Sequence, residues 1–242
     1  MGRVTPYMSA RWMECVKASV DEARQHGMQA WIYDEDNWPS GYAGGAITQL
    51  GEDYLQKYVQ CLEVPVQDGS AEIPGEKRLM ALFSGRREGS DVQDLVKIPL
   101  DRVQDGRVQA QGDTVLVFVY DIHDVRRHFC PECHVAGYVD VMDPKVTKAF
   151  IESTYEVYKR ELGDDFGRTM PGFFTDEPNY HDLDWRGKTL RRPWTPALPA
   201  LYEKISGGRR LEDDLPALFF NTPSYEKIRQ SYYTAITQLF TE

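Results

Sequence analysis

Hydrophobic positions in two parts of the chain follow one order: an amphipathic helix, a glycine, a short apolar strand, then a cluster of acids. In the first, Ser9 is a good N-cap, Trp12, Val16, Val20 and Ala23 recur at helical spacing, and Gly27 supplies a stop. A strand over 28–33 follows, ending in Asp34-Glu35-Asp36-Asn37. In the second, Asp143-Pro144 places a capping acid before a proline at the first helical position. Val146, Phe150, Val157 and Leu162 continue that helix to Gly163, and a strand over 170–175 runs into Asp176-Glu177-Pro178. Helix then strand, twice, predicts crossover units of a parallel sheet, which presents functional residues at the carboxyl ends of its strands.

Between these units the period changes. Residues 54–142 carry short β-type runs at Leu79 to Phe83, Leu95 to Ile98 and Thr114 to Tyr120, with Asp105-Gly106 as a turn signal and no long helical period. This predicts a mostly antiparallel β insertion. After Pro178 the chain is loop-rich through Trp194, then helical around Ala197 to Ile205 and again from Ser224. The expected organisation is a first barrel segment (1–53), the β insertion (54–142) and a second barrel segment (143–242). The expected fold class is α/β, a partial TIM (β/α)8 barrel, because a whole barrel takes about 250 residues without insertions and on the order of 150 remain here. An end inside an apparent helix at Gln238 to Glu242 reads as a cut, with the rest of the barrel expected outside this chain.

Composition removes some function classes. With 242 residues, 41% hydrophobic content and a formal charge of -10, the chain can bury a core but lacks the basic surface that nucleic acid or an anionic membrane requires. It has no apolar run long enough to span a membrane, and the start Met1 to Pro6 lacks the core of a signal peptide, which favours a cytoplasmic location. Cys15 and Cys61 fall in apolar helix-like and strand-like settings where thiols are inert. His128, Cys130, Cys133 and His134 are zinc-type ligands in an incomplete pattern, since no second CxxC or spaced histidine pair follows, and the reading preferred for them is reduced loop thiols.

The acids carry the candidate chemistry. Glycoside hydrolysis usually needs two carboxyl groups flanking the scissile bond, and Glu177 at the end of a buried strand is the candidate for the acid. Asp176 beside it would raise its pKa if the two faced each other. Asp34, Glu35 and Asp36 repel one another unless a cation or sugar hydroxyls neutralise them. Flanked by Trp31, Tyr33, Trp38 and Tyr42, they and Asn37 suit a sugar ring with apolar faces and polar edges; Trp38 or Tyr42 would be the stacking platform. His181 is a further contact candidate or a loop cap. Gly41, Gly44 and Gly45 match no phosphate-binding spacing.

The run Trp31-Ile32-Tyr33-Asp34-Glu35-Asp36-Asn37-Trp38-Pro39-Ser40-Gly41-Tyr42-Ala43-Gly44-Gly45, with Phe173-Phe174-Thr175-Asp176-Glu177-Pro178, resembles bacterial glycoside hydrolases of the α-L-rhamnosidase type, family 106 and its relatives. Pro6 to Trp12 and Tyr138 to Pro144 fit the same pattern. The resemblance implies a (β/α)8 catalytic domain within a larger protein, inverting hydrolysis, and a calcium ion near the active site. It implies Glu177 as a catalytic carboxylate and Asp34 to Asn37 as lining of the sugar pocket, with the partner carboxylate on a later strand absent from this chain. A carbohydrate-binding module without catalysis, or a structural fragment that associates with a partner or with itself, are the rival expectations.

Overall fold

The computed structural model describes residues 5–36, 38–75, 78–122, 137–180 and 190–241. In chain order the elements are α1 (Ala10–Gln25), β1 (Ile32–Tyr33), β2 (Lys57–Pro65), β3 (Ser70–Glu72), β4 (Arg78–Glu88), β5 (Asp91–Ile98), β6 (Arg107–Gln109), β7 (Thr114–Ile122), α2 (Pro144–Ser153), α3 (Tyr155–Leu162), β8 (Phe173–Phe174), β9 (Arg191–Trp194), α4 (Leu198–Ser206), α5 (Leu211–Phe219) and α6 (Tyr225–Thr241). Short 3-10 turns join several of them. They form two compact units, Met1–Gln56 with Asp124–Tyr180, and Lys57–His123 with His181–Glu242.

In the first unit the anticipated caps are in place. Ser9 accepts the Trp12 N–H at 3.2 Å, Gly27 adopts φ +63° at the end of α1, and the Asp143 carboxylate accepts the Lys145 N–H at 2.9 Å. The helix expected to run unbroken from 144 is interrupted at Thr154, whose hydroxyl and N–H both bond back to the Phe150 carbonyl. A β-branched hydroxyl residue that bonds the preceding turn in this way bends a helix. β1 and β8 pair in parallel, Ile32 opposite Phe173 and Tyr33 opposite Phe174. Ile32 and Phe173 point into a core with Met13, Val20, Tyr158, Leu162 and Met170, so one face of the pair rests on the helices.

The second unit is a five-stranded antiparallel sheet in the order β5-β4-β7-β2-β9, with β3 and β6 as a separate two-stranded pair. Alternation divides its two faces. Leu82, Val115, Val117 and Val119 pack with Ala71, Ile73 and Val108, while Phe83 and Phe118 face the other way, where Phe118 meets Phe219 of α5 at 5.7 Å. The Asp105-Gly106 turn, at φ +49° and +71°, precedes β6 as its sequence required.

The expected partial TIM barrel is therefore wrong. Among the described residues there is no closed barrel and no alternating β/α repeat; the main sheet is antiparallel and the parallel pairing stops at two strands. The physical reason lies in the two segments that leave the parallel pair. After β1 the chain passes into β2, the nine-residue strand that pairs with β7 and β9, instead of a second crossover. After β8 it returns as β9, which adds antiparallel to β2. Pro193 is tolerated there because β9 is an edge strand.

Candidate functional site

The parallel register sets the two acidic segments side by side. Ala30, Ile32 and Asp34 donate their N–H groups to the carbonyls of Thr169, Gly172 and Phe174, so the chain leaves β1 at Asp34 next to where it leaves β8 at Thr175. Tyr33 and Phe174 lie on the face away from the helix core, their rings stacked at 5.9 Å.

Asp34 is wholly buried and surrounded by hydroxyl groups. Its Oδ1 accepts from Ser40 Oγ at 2.6 Å, and its Oδ2 from the Tyr155 hydroxyl at 2.6 Å and from Thr175 Oγ1 at 2.7 Å. The break at Thr154 puts Tyr155 at the start of α3, where its ring packs on Phe173 at 4.3 Å and its hydroxyl reaches Asp34. Burial, with Asp34 adding to it, pushes the Tyr155 phenol up to about 12.

Glu35, 1% exposed, is held by main-chain donors: Oε1 accepts from the N–H groups of Asp36 (2.7 Å) and Gly44 (2.8 Å), and Oε2 from those of Gly41 (3.1 Å) and Ala43 (2.7 Å). Burial raises its pKa above the ordinary glutamate value, and the four N–H groups oppose that rise. These two acids sit inside the fold rather than at its surface.

The exposed chemistry is at the tip of β8. Asp176 is half-buried, its Oδ2 accepting from the Tyr33 hydroxyl at 3.0 Å. Burial first, then this bond, lifts the Tyr33 phenol to about 12. Glu177 is exposed, adopts φ +46°, and accepts the Trp38 indole N–H on Oε2 at 3.2 Å. Each acid of the pair thus has its own donor. Asn179 closes the turn through Nδ2 to the Glu177 carbonyl at 3.0 Å.

Of the other sequence candidates, Tyr42 is buried against Tyr138 at 5.1 Å and serves packing, while Trp38 is half-buried and stands beside Glu177. Asp36 is half-buried. Asn37, His181 and the zinc candidates His128, Cys130, Cys133 and His134 lie outside the described residues. Cys15 is exposed on α1, and Cys61 is a half-buried free thiol whose pKa burial raises.

Among the described residues no group of three or more His, Cys, Asp or Glu side chains is arranged to hold a metal. Calcium does not fit Asp34 and Glu35, because hydroxyl and amide donors already engage their oxygens, and a hard cation needs those oxygens free.

Ser40, Thr175 and Tyr155 were not singled out by the sequence pattern, yet they join the two acidic segments. Thr175 and Ser40 had one available signal: each is a small hydroxyl residue within the acid-bearing runs. A mostly apolar opening of about 320 Å³ between α1 and β1, lined by Trp12, Val16, Val20, Trp31 and Tyr158, shares Tyr33 with the acid tip. No family model, no curated protein and no solved structure matches this chain.

Proposed function

We propose that the tip of β8 and the loop after β1 form the sugar-binding end of a glycoside hydrolase acting on a terminal, α-L-rhamnoside-like residue, with Glu177 as a catalytic carboxylate. The observation that carries this reading is the 3.2 Å bond from the Trp38 indole to Glu177. It sets an exposed acid against the edge of an aromatic ring, and a pyranose has the matching surface: apolar C–H faces for the ring, hydroxyls for the acid. Asp176, tied to Tyr33, is a second hydrogen-bonding group at the same tip. The motif resemblance of both segments points to the same chemistry.

Hydrolysis divides the work between two carboxyl groups, one giving a proton to the leaving oxygen and one activating water on the other face. Glu177 fills one of these roles. Because the Asp176 carboxylate is engaged by Tyr33, the other role falls to a group outside this tip, and turnover by the chain alone is expected to be feeble. That engagement also favours a second reading, a binding module whose acids only hold sugar. Titration with methyl α-L-rhamnopyranoside, followed by tryptophan fluorescence, together with hydrolysis of an aryl α-L-rhamnoside separates them. Saturable binding with turnover that Glu177→Gln removes supports the hydrolase. Binding without turnover, unchanged by Glu177→Gln, supports the module, and no binding defeats both.

A further inference from the structure

Glu35 has no capacity left for a substrate. A carboxylate offers about four lone-pair positions. All are taken, two on each oxygen, by the N–H groups of Asp36, Gly44, Gly41 and Ala43. The backbone that supplies them is unusual: Gly41, Ala43, Gly44 and Gly45 have φ values of +136°, +50°, +63° and +92°. Successive residues of this kind turn their N–H groups inward into a concave nest, which normally binds an external anion. Here the nest closes on the chain's own carboxylate. Ala43 pays a steric penalty to adopt φ +50° that a glycine would not, and its N–H makes one of the two shortest bonds to Glu35, at 2.7 Å.

The loop so gathered carries Trp38, which donates to Glu177, and Ser40, which bonds Asp34 and Asp176. We propose that Glu35 is a positioning residue: an internal anion that fills the amide nest of its own loop and thereby sets Trp38 and Ser40, and through them Glu177 and Asp176, in place. It acts through these residues and does not itself touch sugar. The consequence for ligand binding rests on the sugar-site reading given above; the consequence for the loop does not.

The shape of the nest supplies a direct test. Glu35→Ala keeps Cβ and deletes a fragment equivalent to acetate, leaving four convergent N–H groups around an acetate-sized space. Hydrogen exchange of the Gly41, Ala43 and Gly44 amides in the 242-residue chain reads the nest. The variant is expected to lose protection at these three amides by about tenfold or more, with the Ala30 and Ile32 amides unchanged. Sodium acetate should restore it and acetamide, which brings N–H donors of its own, should not. Glu35→Gln is the second variant, in case the cavity prevents folding: it fills the space, its amide oxygen accepts for only one of the two N–H pairs, and it is expected to lose protection either at Gly41 and Ala43 or at Gly44, without rescue by acetate.

Retained protection at the three amides in both variants would overturn the proposal, as would equal rescue by acetamide. In parallel, affinity for methyl α-L-rhamnopyranoside should fall about tenfold in Glu35→Ala and recover with acetate. If the unaltered chain binds no rhamnoside, the sugar reading fails and the exchange data alone judge Glu35. If it binds, and Glu35→Ala with an unprotected nest binds as tightly, the positioning role is refuted.

Discussion

Ser40 and Asp176 hold each other by two reciprocal hydrogen bonds. The Ser40 N–H donates to the Asp176 carbonyl at 2.9 Å and the Asp176 N–H donates to Ser40 Oγ at 2.8 Å, while the serine hydroxyl proton goes to Asp34 Oδ1 at 2.6 Å. One buried serine thus fastens the loop after β1 to the tip of β8, and its remaining hydrogen-bonding group, the carbonyl, accepts from the Tyr138 hydroxyl.

Replacing that hydroxyl leaves two groups without it, the Asp176 N–H and Asp34 Oδ1. Each such loss costs about 1–3 kcal/mol when the group stays buried. Ser40→Ala is therefore expected to lower unfolding stability by roughly 2–6 kcal/mol. Urea denaturation should show a lower midpoint with an unchanged slope; a midpoint within experimental error of the parent chain would show that the clamp contributes nothing.

Tyr155 and Thr175 both reach Asp34 Oδ2, at 2.6 and 2.7 Å, and lie 2.8 Å from each other; two hydroxyl protons serve these three contacts, so their effects should not add. Tyr155→Phe keeps the ring on Phe173 and should cost about 1 kcal/mol, as should Thr175→Val. With either hydroxyl present Asp34 Oδ2 keeps a donor; with both gone it is orphaned in a buried site. The double variant should exceed the sum of the singles by roughly 1 kcal/mol in a denaturation cycle, whereas strict additivity would mean the two hydroxyls act independently.

How much of this was legible in the sequence depends on how local the deciding interaction is. Ser9, Gly27 and Asp143-Pro144 act within one turn of chain, and the helix ends they mark are where the pattern puts them. β4, β5 and β7 cover the runs that alternate, or are continuously apolar, in 78–122. β2 was legible only around Cys61, because Lys57, Gln60 and Glu63 interrupt its apolar pattern, and β9 escaped because Arg191-Arg192-Pro193 is a poor strand by composition; both exist through pairing with residues far along the chain.

The fold class failed for the same reason. Two helix-strand units predict a parallel pair, and that pair exists, but they do not determine what is laid beside it. At the site, the acids were conspicuous and their directions were not. Nothing in Asp34-Glu35-Asp36 says that the first two turn inward; that follows from glycines six to nine residues on and from a tyrosine on another helix.

The pH dependence of stability should carry the signature of Glu35. Burial raises its folded pKa above the unfolded one. Its contribution is then fully present below the ordinary glutamate value, about 4.3, and is lost as pH rises through the folded value. Asp165, held low by the Arg24 guanidinium, works in the opposite sense, its contribution disappearing as pH falls below the ordinary aspartate range. The two windows are therefore separate. Denaturation midpoints taken upward from about pH 4 should fall in the parent chain relative to Glu35→Gln; parallel curves for the two proteins would contradict the assignment.

Gly41 and Gly172 offer a matched pair for separating loop geometry from mere crowding. A Cβ on Gly41 would lie 2.6 Å from Val139 Cγ2 and 3.2 Å from the Tyr138 hydroxyl, all of them buried, and the residue sits at φ +136°. A Cβ on Gly172 would lie 2.9 Å from the Trp31 ring, but that ring is 62% exposed and can swing away. Gly41→Ala should cost roughly 3 kcal/mol, adding backbone strain to overpacking, and Gly172→Ala less than about 1 kcal/mol. Because the Gly41 N–H also bonds Glu35, its substitution should weaken rhamnoside binding even where the protein is still folded, while Gly172→Ala should leave binding intact. Equal losses of stability in the two variants, measured by urea denaturation, would show that crowding rather than loop conformation sets the cost.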